Sequence, residues 1–208
     1  MTNIVMKLFT VLHYKESKKM ANKIKYGLKN VYYALATIDT QTGAATYESP
    51  VRIPGAVSLS MEPSGETNSF FADNIAYATF GANAGYEGEL EVAMIPDSFR
   101  VAVLGEVVDS TSNIQIETTD ATTRTFALLF QFEGDDSSVR HAFYNCTASR
   151  TNIEGETTEE NIEVKTETMN LTASAIYNAT LDKDIVKGKI SDKEADAYKN
   201  WFTTVQQP

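Results

Sequence analysis

The chain has a single cysteine, two histidines, five prolines and no long apolar run. One cysteine, Cys146, excludes an intramolecular disulfide framework and every multi-cysteine metal site. Its setting in HAFYNCTAS, among aromatic residues, predicts a buried and unreactive thiol. His13 and His141 cannot make a His-rich zinc site, and His141 alternates with core residues, so it reads as a packed histidine. A membrane span takes about 20 apolar residues, and no such run exists. Basic character is also scarce: 18 Lys and Arg against 28 Asp and Glu leave a formal net charge of −10. Attraction to nucleic acid phosphates, which is mainly electrostatic, is therefore not expected.

Motifs for catalysis are thin as well. GANAGYEG (Gly81–Gly88) lacks the G-x-G-x-x-G spacing and no helix follows it, so it reads as a turn rather than a phosphate loop. Glu87 and Glu89 lie two apart on one strand, roughly 6–7 Å by strand rise, a separation that overlaps that of inverting glycosidases. Such enzymes need unlike environments for acid and base, whereas Glu87, Glu89 and Glu91 look equally solvated. No G-x-S-x-G elbow or Cys–His nucleophile pair is present. Sequons at Asn145, Asn170 and Asn178 carry no weight without a signal peptide. No catalytic residue, metal or cofactor is expected, which points to a structural or binding role.

What the chain has in quantity is Thr, Val, Tyr, Phe and Ile with period-2 alternation, the mark of a mainly β protein. In TFALLFQFEGDDSSVRHAFYNCTA, Phe126, Leu128, Phe130 and Phe132 share a face, Gly134–Ser138 supply a turn, and Val139, His141 and Phe143 resume alternation. This predicts a long antiparallel hairpin near the core. In YEGELEVAMI, Glu87, Glu89 and Glu91 point one way while Leu90 and Val92 point the other. PDSFRVAVLG follows as a short helix, with Pro96 at its first position and Gly105 as the left-handed residue that ends it. In NIEVKTETMNLTASAIYN the apolar parity changes beyond Thr168, predicting a bulge or a passage between sheets. Ser191 and Glu194 form an S-x-x-E capping box opening a terminal helix that docks through Tyr198, Trp201 and Phe202.

Two polar segments, Ser60–Asn74 and Ser149–Asn161, read as surface loops. The first carries Phe70 and Phe71 beside Glu62, Pro63 and Gly65, and an aromatic pair at a flexible tip predicts a contact with a partner or with the body of the domain. Residues 1–19 are expected to be a mis-called extension. Lys15-Glu16 can be encoded AAG GAG, the core of a ribosome-binding site, at a suitable spacing from Met20. An intact mass matching a chain that begins at Met1 overturns this. The expected organisation is residues 1–19 outside the fold, a β-domain over 20–180 and a C-terminal helical tail over 181–208.

Three stretches, YGLKNVYYALAT, GELEVAMIPDSFRVAVLGEVVD and VRHAFYNCTASR, resemble in order and spacing the major tail proteins of long non-contractile bacteriophages, the subunits of the tail tube. The resemblance covers roughly Met20 to Ala179. It implies a β-sandwich or barrel-like subunit with a flanking helix, six copies to a ring, and rings stacked into a tube that conducts DNA into the host without binding it. It also implies tape-measure, tail-terminator and distal tail proteins as partners, and a place in the virion tail after assembly in the host cytoplasm, with no membrane. Within that picture Glu62, Pro63, Gly65, Phe70 and Phe71 are candidates for an inter-subunit loop, and Glu87, Glu89 and Glu91 for a lumen-facing acidic strand. The Glu154–Glu163 region is a second lumen candidate. The alternative is a carbohydrate-binding β-sandwich or adhesin, in which Tyr77 and Tyr86 stack on sugar rings.

Overall fold

The computed structural model describes residues 26–65, 67–72, 74–81, 83–133, 138–153, 155 and 165–208. Its strands are β1 (Leu28–Ile38), β2 (Ala45–Tyr47), β3 (Val51–Arg52), β4 (Ala56–Ser64), β5 (Thr67–Ala72), β6 (Ile75–Gly81), β7 (Gly85–Val92), β8 (Val107–Val108), β9 (Gln115–Ile116), β10 (Phe126–Phe132), β11 (Arg140–Ala148), β12 (Glu167–Ala173), β13 (Ile176–Asn178), β14 (Lys183–Ile185) and β15 (Lys187–Ile190). Two short helices join them: α1 (Asp97–Phe99), which runs on into a π-helical turn over Arg100–Leu104, and α2 (Asp196–Lys199). The expected mainly β fold with a flanking helix is what the chain forms.

The main sheet is antiparallel, in the order β2-β1-β10-β11-β12-β7-β4, with β3 also on β1 and β15 on β11. The expected antiparallel pairing of β10 with β11 is its centre; residues 134–137 of the expected turn lie outside the described residues. Both faces of that centre are covered. Val31, Tyr33, Phe126, Leu128, Phe130 and Phe143 point into one core with Leu90, Met169, Leu171 and Phe99 of α1. The opposite face carries Leu129, Ala142 and Tyr144, against which Ile176 and Trp201 pack. Alternation therefore sorts two apolar faces here, rather than one apolar and one wet.

Irregularities in the ladder decide which residue joins which core. Leu128 pairs with Phe143 but Phe126 pairs with Cys146, so β11 holds an extra residue at this point. That bulge turns Cys146 back toward the same core as Phe143. Below it β11 pairs with β15, and above it with β12. After β12 the chain leaves the first core at Ala173 and delivers Ile176 of β13 to the second, which is the expected passage between sheets, made a few residues later than the parity change. The Ile162 and Val164 half of that expectation lies outside the described residues.

Gly105 ends the π turn at φ +79°, the left-handed cap that the sequence predicted. Pro96, expected as the first helical residue, instead sits one position earlier as the extended N-cap (ψ 139°). Arg100 anchors the helix to β12 through two bonds to Glu167 (3.0 and 3.1 Å), whose carboxylate also accepts the Ile95 N–H at 2.6 Å.

The C-terminal segment differs from expectation in its cap. Ala195 is the N-cap and makes no side-chain cap bond, and the Glu194 N–H goes to Asp192 instead (3.1 Å), so no Ser191–Glu194 box forms. The helix is a single turn, too short for propensity to hold it. Tertiary contacts hold it: Trp201 Nε1–H donates to the His141 carbonyl (3.2 Å), Phe202 stacks on Tyr32 (5.1 Å), and the Arg140 guanidinium lies over the Tyr198 ring at 3.9 Å. Docking through the aromatic face is as predicted. The expected boundary between residues 180 and 181 falls in the turn of the β13–β14 hairpin.

Candidate functional site

The outer face of β4, β7 and β12 is polar from edge to edge. On β7, Leu90 and Val92 enter the core, so Glu87, Glu89 and Glu91 must face outward, as alternation predicts. The register then sets each opposite a polar residue on both sides. Glu87 pairs with Glu62 and Thr172, Glu89 with Ser60 and Asn170, and Glu91 with Ser58 and Thr168. Thr166 and Ser58 hydroxyls donate to the Glu91 carboxylate at 2.6 and 2.8 Å, and these bonds hold its pKa below the usual carboxylate range. An open groove of about 590 Å³ runs along this face, lined by Ser60, Glu62, Glu87, Glu89, Asn170 and Thr172 among others.

Gly88 lets this face form. A Cβ there would lie 1.9 Å from the Ser60 carbonyl oxygen and 2.8 Å from the Met61 Cα. Only glycine allows β4 to press this closely onto β7.

The Ser60–Asn74 segment is not the loop that its polar composition suggested. Glu62 and Pro63 belong to β4, Gly65 lies at the junction after it, and Phe70 and Phe71 belong to β5. Ladder pairing to β7 and β6 satisfies the backbone of this segment, and the alternation of Leu59 and Met61 toward the core is the signal that could have revealed it. The candidates for an inter-subunit loop thus divide. Glu62 joins the acidic strand face, while Phe70 is exposed on a two-stranded ribbon, β5–β6, that extends beyond the Ser64–Gly85 end of the β4–β7 ladder. Glu154–Glu163, apart from Gly155, lies outside the described residues.

A family model described as phage tail tube protein matches residues 17–208. The chain belongs to this family. No curated protein matches it. The match upholds the resemblance carried by the three quoted stretches and extends past Ala179, through the strands and helix of the C-terminal segment. The protein is thus a structural subunit of a phage tail tube, a component of the virion tail.

The features of this tail tube protein that suggested other chemistry have structural explanations. Tyr86 packs on Phe143 (5.2 Å) and under the Lys187 ammonium (4.4 Å), while Tyr77 stands on the β5–β6 ribbon. The two rings do not form a common sugar platform. Cys146 is fully buried, and burial pushes its thiol up to about 12, as an inert core cysteine requires. His141 stacks on Phe130 at 5.2 Å with the rings 10° from parallel.

Proposed function

We propose that this tail tube subunit assembles into six-membered rings that stack into a continuous conduit for DNA, with the outer face of β4, β7 and β12 turned to the bore. The observation that supports the reading is the cross-strand pairing of Glu62 with Glu87 on an exposed face already carrying Glu89 and Glu91. Like charges opposite each other destabilise a sheet, so a free subunit gains nothing from this arrangement. A wall that phosphates must slide past does gain, because at physiological salt the screening length is about 8 Å and a close-fitting duplex stays within it. The serine, threonine and asparagine residues between the glutamates keep that wall wet without adding cations.

The β5–β6 ribbon, with Phe70 and Phe71, serves as the arm between subunits. Because Glu62 and Pro63 belong to β4, the arm is the segment beyond Ser64 rather than the whole of Ser60–Asn74. The tube ends on tape-measure, tail-terminator and distal tail proteins, and the subunit is made and assembled in the host cytoplasm. Negative-stain electron microscopy of the concentrated protein, alone and with a tail-tip nucleus, tests the proposal. Sixfold rings or hollow tubes support it; strict monomers under both conditions overturn it.

A further inference from the structure

Large apolar side chains are exposed in two groups. On β5–β6, Phe70 is 59%, Ile75 62% and Tyr77 71% exposed. Between the end of β7 and β9, Met94 is 70% exposed, and Val101, Val107, Val108, Ile114 and Ile116 are between 39% and 59% exposed. The second group includes both strands of the β8–β9 ribbon, where Val107 is the cross-strand partner of Ile116. An isolated two-stranded ribbon is marginal in water, and apolar patches of this extent mark interaction sites.

The two groups lie at opposite ends of one strand. The β5–β6 ribbon extends past Gly85, where β7 begins, and Met94 and α1 follow Val92, where it ends. Eight residues of β7 hold them about 27 Å apart. The ribbon therefore cannot fold back onto the second group of its own chain, whereas a second copy placed head to tail brings them together. Such a contact is heterologous and repeats from copy to copy, the geometry that a stack needs.

We propose that the β5–β6 ribbon of one copy seats on the apolar end formed by residues 94–116 of a second copy. The inference rests on the tube reading above and names the surface that receives the arm. Together the two groups expose on the order of 1,000 Å², about the floor for a specific interface before backbone and polar rim are counted. The described residues of the ribbon carry no charged side chain, so seating its two strands desolvates none among them. Of the acidic residues of the receiving end, Asp97 is exposed, Asp109 is half-buried with its carboxylate accepting from Ser112, and Glu106 is already paired with Arg100.

Photo-crosslinking in assembled tubes tests this, with benzoylphenylalanine at Tyr77 and, in a second variant, at Phe70. Tubes grown from mixed ¹⁴N and ¹⁵N chains distinguish inter-copy from intra-chain products. Inter-copy cross-links within 94–116 are expected. Inter-copy cross-links elsewhere overturn the receiving surface while leaving the tube reading intact, and a wild-type chain that never assembles overturns both. Independently, Tyr77→Asp, at an exposed site that leaves the monomer folded, raises the concentration needed for assembly by about tenfold, equivalent to 1.4 kcal/mol. Unchanged assembly by this variant also counts against the contact.

Discussion

Glu62 and Glu87 face each other across the β4–β7 ladder, both exposed, with Glu89 next along the same face. β4 is the last strand of its sheet, and it supplies half of that pair. Among the described residues β4 pairs with β7 alone, so it has an unpaired edge as well as a repulsive face, two features that assembly can resolve.

Glu62→Gln removes the repulsion without changing shape. The isolated variant should unfold at a modestly higher urea concentration than the wild type at low salt, and the difference should shrink at 1 M salt, where the screening length is about 3 Å. Paired urea titrations at the two ionic strengths measure it. An equal gain at both salts would show that charge is not the cause.

Gly88→Ala tests the close approach of β4 to β7. The new methyl group meets Ser60 and Met61 backbone atoms rather than a flexible side chain, so β4 must move. A loss of about 1–3 kcal/mol or more is expected, the range of overpacking. Thermal melts read it, and Gly81→Ala, where a Cβ meets nothing within 4 Å, is the control expected to change little.

Stability should be flat from pH 7 to about 9 and then fall. Burial raises the Cys146 thiol from 9.0 to about 12 and also raises the Tyr47, Tyr144 and Tyr33 phenols above their usual value. In each case the unfolded chain loses its proton first as pH rises, so the folded state loses stability between about 9 and 12. Urea midpoints across that range give the slope, and native Cys146 should stay unreactive to an aromatic disulfide at pH 8.

Period-2 alternation made the centre of the fold legible: β1, β7 and the β10–β11 pair follow from it, and so do the outward glutamates of β7. At β4 the polar residues from Ser60 and Glu62 onward made a strand look like a loop, although Leu59 and Met61 alternate with them toward the core. Thr168, Asn170 and Thr172 alternate with Met169, Leu171 and Ala173 in the strand that the sequence did predict there, and they supply the third strand of that face. The cap of the C-terminal helix differs for another reason. Ser191 and Glu194 have the right spacing for a box, but the chain is still leaving β15 there, and the turn at Asp192 takes the Glu194 N–H.

Trp201→Ala should show how far the C-terminal segment supports the sheet. Trp201 fills the second core beside Leu129 and Tyr144 and donates to His141, so its removal should cost about 3–5 kcal/mol. Arg140→Met removes a smaller part, the guanidinium that lies over Tyr198 and Phe202 at 3.9 and 4.8 Å, worth about 0.5–2 kcal/mol, together with its bond to the Tyr198 carbonyl. Guanidine unfolding of the two variants should keep that order; a reversed order would place the anchor on Arg140 rather than on the indole.

Reversing the charge of the strand face tests the bore directly. Glu91 is held by Thr166 and Ser58, so its replacement also breaks two hydrogen bonds; Glu87→Lys with Glu89→Lys changes the field with less collateral loss, and the triple variant with Glu91→Lys extends it. In phage carrying either variant, tubes should still assemble, because the altered side chains face away from the core. Genome ejection, followed by dye binding to released DNA, should slow, since lysines on a close wall attract the phosphates that glutamates repel, and added salt should restore the rate. Glu87→Gln with Glu89→Gln should fall between the two. Wild-type ejection from the lysine variant at low salt would assign this face to the outside of the tube.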